Sequence, residues 1–181
     1  MKYKLTDKHG QTRNDTQWGE NVTHRATGKG TELCSNQVMH CYSSPEMAVF
    51  FDCIHGGYGN EGLLWECRGR KVSNDGTKIG CKSLTTIRQI DKPTITIEQR
   101  IEIATRCSLG IYHEKNWVKW AHGWLSGKDR SYHAADAAAY YAEAVAESAA
   151  HAAYYAAHAA DGVNVNKVIK GVLSPAVSDK S

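Results

Sequence analysis

The 181-residue chain has few of the features that assign a sequence to a class at once. It has three prolines and no proline-rich stretch, which excludes a polyproline linker. The sequence has no run of 18 apolar residues without a charged residue, so no membrane-spanning helix is expected. The residues Met1-Lys2-Tyr3-Lys4 lack the apolar core of a signal peptide. Its six cysteines form no C-x-x-C pair. We therefore expect a cytoplasmic protein without a bound metal or cofactor.

Charge is also nearly balanced. The net charge is +3, and residues 1–93 hold 13 Lys and Arg against 10 Asp and Glu, whereas residues 94–181 hold 9 of each. A dominant phosphate-binding surface would need a stronger basic excess, so nucleic acid is not the expected partner. An apolar content of 41% is enough for a packed core.

The most unusual segment is alanine-rich and predicts one long helix from about His133 to Asp161. Sixteen of the 27 residues from Ala134 to Ala160 are alanine. At 100° per residue, nine polar or aromatic residues fall within about 80° of one another on one side of that helix. We call them the polar stripe: His133, Asp136, Tyr140, Glu143, Glu147, His151, Tyr154, His158 and Asp161.

The polar stripe has two interpretations. It is a solvated face whose alanine side is buried, or it recognises a partner, because tyrosine is favoured at interfaces. The residues predicted to bind the partner are Tyr140, Glu143, Glu147, His151, Tyr154 and His158. The alanine face could also pack against a second copy of the chain and form a homodimer. Alternatively, it could pack within one chain against the preceding helix, predicted at 114–125, which carries three tryptophans.

Local patterns predict an α+β fold. A small mixed or antiparallel sheet with one helix occupies residues 1–93, and a helical region ending in the long alanine-rich helix and a short last helix occupies 94–181. Strands are expected at 2–6, 21–27, 38–42, 62–68, 78–81 and 84–90, with a hairpin turn at Asn74-Asp75-Gly76. Later helices are expected at 97–109, 114–125 and 163–173.

Helix starts are marked by capping residues. Ser43 is the predicted N-cap of a helix over Met47–Ile54, with Pro45 in the first turn and Glu46 three residues on. Thr96 and Gln99 form a predicted capping box for the first helix of the second half. In the next helix Trp117, Trp120 and Trp124 share one face, for which a core position is favoured over an interface.

Three further groups carry weaker signals. A zinc site could use Cys34, His40, Cys41, Cys53 and His55, but their spacing matches no standard knuckle. The loop Gly56-Gly57-Tyr58-Gly59 could bind an anion, although a plain loop is favoured. Basic residues on the predicted hairpin could contact phosphates or be solvated: Arg68, Arg70, Lys78, Lys82 and Arg88.

An ordered series of short motifs carries a resemblance. It comprises Leu64-Trp65-Glu66-Cys67, Asn74-Asp75-Gly76 with Lys78 and Gly80-Cys81, and Trp120-Ala121 with Gly123-Trp124-Leu125-Ser126-Gly127, followed by the alanine-rich tail. Over residues 60–160 the chain resembles uncharacterised accessory proteins of temperate phages and prophages. The resemblance implies a phage context, in which small proteins often disable a host defence protein such as a CRISPR effector.

The sequence is therefore compatible with three functions. The leading hypothesis is a non-enzymatic protein that binds and inhibits a host protein in the host cytoplasm, for example an anti-CRISPR factor. The first alternative is an NAD-binding enzyme, because Met39 to Glu46 resembles the His/Tyr-Ser segment of ADP-ribosyltransferases, with Glu66 as the candidate catalytic residue. The second alternative is a nucleic-acid-binding regulator that uses the hairpin lysines and arginines.

Overall fold

The computed structural model describes residues 1–128, 142–159 and 162–174, and it confirms an α+β fold. The strands are β1 (Lys2–Thr6), β2 (Gln11–Thr12), β3 (Thr16–Gln17), β4 (Thr23–Arg25), β5 (Met39–Cys41), β6 (Leu63–Arg68), β7 (Lys71–Asn74), β8 (Ile79–Cys81) and β9 (Ser83–Ile90). The helices are α1 (Pro45–Phe50), α2 (Asp52–His55), α3 (Ile97–Leu109), α4 (Lys115–Leu125), α5 (Ala142–His158) and α6 (Val165–Leu173), with a 3-10 turn at Gly59–Glu61.

Two antiparallel sheets form the N-terminal half. The larger has the order β1-β6-β9-β4 and the smaller β5-β8-β7, and β2 and β3 form a separate short hairpin. In β6, Trp65 and Cys67 lie in a core shared with β5 and β8, whereas Leu64 lies in a core shared with the helices. The alternation of β6 side chains therefore separates two apolar cores.

The larger core joins the two halves of the sequence. Leu5 and Leu64 from the sheet and Phe50 and Phe51 from the first helical segment pack in it with residues of the C-terminal helices. Its members from those helices are Ile103, Cys107, Ala149, Ala150, Ala153, Ala156, Val165 and Ile169. Burial of this apolar surface is the main force that holds the helical half on the sheet.

The first helical segment differs from the prediction in two ways. The N-cap is Ser44 rather than Ser43: the Ser44 hydroxyl accepts a hydrogen bond from the backbone N–H of Met47. The predicted helix over Met47–Ile54 is two short helices that meet at Phe51, whose φ and ψ of −90° and 2° leave the helical region. The predicted capping box at Thr96 and Gln99 is confirmed, and so are the bounds of α3.

The alanine face of α5 is buried by the chain itself. Ala150, Ala153 and Ala156 are fully buried, and α5 contacts α3 most extensively, then α2 and α6. Small side chains let these helix backbones approach closely, which large apolar residues would prevent. In the described part of α5 this face is therefore covered within one chain, and a homodimer through the helix stays a prediction.

The tryptophans of α4 do not share one environment. Trp124 is 5% exposed, as expected of a core residue, but Trp120 is 42% exposed and Trp117 is half-buried. The core position predicted for all three is therefore wrong for Trp120. The reason is that a shared helix face fixes direction only, so the burial of Trp124 does not extend to Trp120 one turn earlier. The helices in the described parts of the chain are all too short or too polar to form a transmembrane span.

Candidate functional site

The structure describes three of the six predicted partner-binding residues in full. Tyr140 lies outside the described residues, and Glu143 and Glu147 lie on the described backbone of α5 but their side chains are outside it. His151 and Tyr154 are half-buried, and His158 is exposed. The stripe side chains that the structure describes therefore lie in the C-terminal half of α5.

That part of the polar stripe faces the N-terminal half of the same chain. The rings of Tyr154 and His158 stack with centroids 4.1 Å apart, and Tyr154 meets His55 edge-on at 6.4 Å. The His158 Nδ1–H donates to the carbonyl oxygen of Tyr154 at 2.8 Å, while its Nε2 lies 3.9 Å from an oxygen of Asp75. Tyr154 and His158 thus contribute to docking α5 on the sheet domain.

Asp75 organises the hairpin end that α5 touches. One carboxylate oxygen accepts three hydrogen bonds, from the N–H and the hydroxyl of Thr77 and from the N–H of Lys78, at 2.8–2.9 Å. Burial alone would raise the pKa of Asp75, but these hydrogen bonds lower it below its ordinary value. The neighbouring Gly76 has a φ of +85°, and a side chain there would contact Ala157. The turn predicted at this place is confirmed.

Two partly buried histidines, His40 and His55, lie near the β7–β8 hairpin. The N–H of Cys34 donates to Nε2 of His40 at 2.9 Å, so that nitrogen carries a lone pair and the ring is neutral. In His55, Nδ1 lies 3.1 Å from the Tyr42 hydroxyl and Nε2 is buried without a hydrogen-bond partner. Burial and then the positive charge of Lys78 lower the pKa of each histidine to about 4. Both side chains are therefore uncharged at neutral pH.

The most exposed apolar group in the described residues lies at the junction of α3 and α4. We call it the aromatic corner: Ile111, Tyr112, Trp117 and Trp120. Tyr112 meets Trp117 edge-on at 5.5 Å and Trp120 lies 6.3 Å from Trp117, so the three rings form one continuous surface. Tyr112 is 51% exposed. The tryptophan spacing indicated part of this group, but the sequence interpretation missed Ile111 and Tyr112, which follow Gly110 at the end of α3.

The cysteines and histidines considered for zinc do not converge. Cys41 lies in the smaller core with its sulfur 3.8 Å from that of Cys81, whereas Cys53 packs at the edge of the larger core and donates to the carbonyl of Phe50. Within residues 1–128, 142–159 and 162–174, no three His, Cys, Asp or Glu residues are grouped so that they could hold a metal ion.

A lysine is buried in the smaller core. The Lys4 amine donates to the carbonyl of His40 at 3.1 Å and lies 4.6 Å from the centre of the Trp18 ring. Burial lowers the pKa of Lys4 to about 8. The Lys4 side chain therefore links β1 to β5, and its role is structural.

The backbone N–H groups of the glycine loop after α2 bind a carboxylate of the same chain. The backbone N–H groups of Tyr58 and Gly59 donate to the two carboxylate oxygens of Asp52 at 3.2 and 2.8 Å. Burial raises the pKa of Asp52, although these hydrogen bonds and nearby cations oppose the shift. The loop therefore closes on its own helix instead of presenting these N–H groups to a ligand.

Residues that a nucleic-acid-binding regulator or an NAD-binding enzyme would use have hydrogen-bond partners within the chain. Of the hairpin cations, Lys82 donates to the carbonyls of Gly28 and Gln37, and Arg88 pairs with Glu66 at 2.7 Å. Glu66, the candidate catalytic carboxylate of an NAD enzyme, is therefore held in an ion pair. Its pKa is lowered by the hydrogen bond from Arg88.

Comparisons with protein-family models, with curated proteins and with solved structures found no match for this chain.

Proposed function

We propose that this chain is a non-enzymatic accessory protein of the phage type that binds a host protein and inhibits it, and that the aromatic corner is the principal contact surface. The exposure of Tyr112 and Trp120 beside Trp117 carries the proposal. Tryptophan and tyrosine supply most of the binding energy at protein interfaces, and a soluble surface seldom exposes such rings together without a function.

The ionisable residues of α4 lie away from the aromatic corner. Lys115, Lys119 and His122 are exposed on the side of the helix opposite its tryptophans, and the carboxylate of Glu114 is occupied by the N–H groups of Asn116 and Trp117. An apolar groove on the partner would therefore bury the rings without meeting these side chains. The rings contact one another and form one surface, whereas single-strand binders offer separate stacking platforms between basic residues.

This assignment moves the predicted site away from the polar stripe. Tyr154 and His158 contact each other, His55 and Asp75 of the same chain, so a partner would have to compete with those contacts. The aromatic corner requires no such rearrangement. An anti-CRISPR or other anti-defence role remains the proposal for the biological effect, supported by the resemblance to phage accessory proteins.

The test compares three forms of the tagged full chain in a bacterial lysate treated with nuclease and washed at raised salt. The site variant is Tyr112→Ala with Trp120→Ala, and the matched control is Tyr155→Ala, which removes a 65% exposed ring from α5. Circular dichroism verifies that each variant is folded.

We expect the wild type and the Tyr155 variant to retain one stoichiometric protein whose own activity is lost in the complex. The site variant should bind the purified target at least about 30-fold more weakly, since truncating a central interface tryptophan or tyrosine costs about 2 kcal/mol or more. Equal binding by all three forms would refute the assigned surface. Recovery of no stoichiometric protein, or of a bound protein whose activity is unchanged, would refute the inhibitor.

A further inference from the structure

We propose that Cys34 and Lys78 form a redox-modification site, at which a hydroperoxide oxidises the Cys34 sulfur and the Lys78 amine then closes a reversible sulfur–nitrogen cross-link. The Lys78 Nζ lies 2.9 Å from the Cys34 Sγ, although 44 residues separate them in sequence. This inference does not depend on the proposed function.

Cys34 differs from the other five cysteines in exposure. It is exposed, whereas Cys53 is half-buried and the rest are buried: Cys41, Cys67, Cys81 and Cys107. Burial raises the pKa of Cys67 and of Cys107 to about 12, which keeps both as unreactive thiols. Reactive cysteines combine solvent access with a nearby cation, because the thiolate is the nucleophile. Cys34 has both, since it is exposed and its sulfur is in direct contact with the Lys78 amine.

The backbones that carry the two reacting atoms are held in place by separate sets of hydrogen bonds. Cys34 has a φ of +61°, and its N–H donates to His40 at 2.9 Å. On the other side, the N–H of Lys78 donates to the carboxylate of Asp75 at 2.8 Å, which fixes the start of β8 relative to the hairpin turn. The sulfur and the amine therefore meet without ordering a mobile segment, which favours reaction between them.

The loop that carries Cys34 is itself fastened. Ser35 donates from its hydroxyl to the carbonyl of Glu32 at 2.8 Å, and the Gln37 N–H donates back to the Ser35 hydroxyl. Lys82 donates to the carbonyl of Gln37 at 2.8 Å and ties the end of the loop to the sheet. Cys34 thus lies on an ordered turn next to β8.

The chemistry balances with one hydroperoxide. The Cys34 thiolate attacks the terminal peroxide oxygen, the O–O bond breaks, and the alkoxide or hydroxide that leaves takes a proton from the Lys78 ammonium. Sulfur is oxidised by two electrons to a sulfenic acid, the peroxide is reduced to an alcohol or water, and Lys78 becomes a neutral amine. That amine attacks the sulfenic sulfur, an S–N bond forms, and water leaves with the sulfenic oxygen. A thiol reductant restores both side chains.

The experiment exposes the folded full chain to hydrogen peroxide and measures intact and peptide masses. We expect the wild type to lose two hydrogens, to yield a peptide that joins Cys34 to Lys78, and to recover its mass in dithiothreitol. Lys78→Met should instead accumulate a sulfenic acid at Cys34 that dimedone traps, and Cys34→Ser should form no cross-link. Lys71→Met, which removes an exposed lysine from β7, is the matched control and should behave as the wild type.

Two results would overturn the proposal. One is a wild type that accumulates dimedone-reactive or further oxidised Cys34 to the same extent as Lys78→Met, with no joined peptide. The other is a Cys34 that reacts with peroxide no faster than Cys53 in the same folded sample. Circular dichroism of each variant before oxidation ensures that a missing cross-link is not caused by unfolding.

Discussion

The two partly buried histidines, His40 and His55, make the stability of this protein depend on pH between 5 and 7. His40 and His55 have their pKa lowered from 6.5 to about 4 by burial and then by the charge of Lys78. Between these two values the unfolded chain binds more protons than the folded chain. The stabilisation is therefore complete above pH 6.5 and is lost as the pH falls towards 4.

The magnitude follows from the two pKa values. For one fully shielded histidine, moving from pH 7 to pH 5 would cost about 2 kcal/mol of unfolding free energy. Because solvent screens both partly exposed rings, the two together cost about 2–3 kcal/mol. That is a large part of the ~5–15 kcal/mol typical of a folded domain. Asp52, whose pKa is raised by burial, has the opposite sign and offsets part of the loss. Its contribution is common to all variants and cancels in their comparison.

The assay is urea unfolding followed by tryptophan fluorescence at pH 7, 6 and 5. His55→Phe keeps an aromatic ring beside Phe51 and Tyr154, and His40→Asn keeps an acceptor for the Cys34 N–H; each removes one titrating group. We expect each to reduce the wild-type pH dependence by about half. His9→Asn, at an exposed position, is the control and should leave it unchanged. Equal stability of the wild type at pH 7 and 5, or an undiminished dependence in both variants, would refute the reasoning.

Two further substitutions test the contacts that seat α5. Ala153→Leu places a large side chain in the fully buried face against α3 and should lower the unfolding free energy by about 2 kcal/mol. The control Ala152→Leu, at a partly exposed position, should lower it by under about 0.5 kcal/mol. Equal effects of the two substitutions in thermal unfolding would contradict close packing at Ala153. Asp75→Ala leaves three donors of Thr77 and Lys78 without their acceptor and should lower the unfolding free energy by about 3 kcal/mol. Asp75→Asn should lower it by less. An unfolding free energy that Asp75→Ala leaves unchanged in urea would contradict the role of the carboxylate.

Local chemistry in the sequence predicts those features whose partners are close in the chain. The capping box of Thr96 and Gln99 needs only four consecutive residues, and the structure confirms it together with the bounds of α3. The choice between Ser43 and Ser44 as N-cap is different. The Ser44 hydroxyl also donates to the Asn166 side chain at 3.1 Å, across 122 residues, so a contact with α6 accompanies the choice of Ser44. No window around the helix start contains that information.

The same limit applies to the two candidate sites. Helical periodicity correctly places Trp117, Trp120 and Trp124 on one face, but the exposure of Trp120 depends on where the covering elements end, which is a tertiary property. The contact of Cys34 with Lys78 depends on the loop before β5 folding over β8, and no spacing rule joins residues so far apart. Residue types in the sequence nominate candidates, whereas packing determines which of them meet.

The alanine-rich helix illustrates how packing changes the meaning of a pattern. Its alanines permit the close approach to α3, and Ala157 permits contact with the hairpin at Gly76. Polar side chains beside such a face necessarily come near the elements it packs on, so Tyr154 and His158 meet His55 and Asp75. An alternation of small and polar residues is thus the requirement for docking this helix closely on a polar hairpin. Among the described residues, the aromatic corner exposes apolar surface that Tyr154 and His158, which pack on the hairpin side of α5, do not.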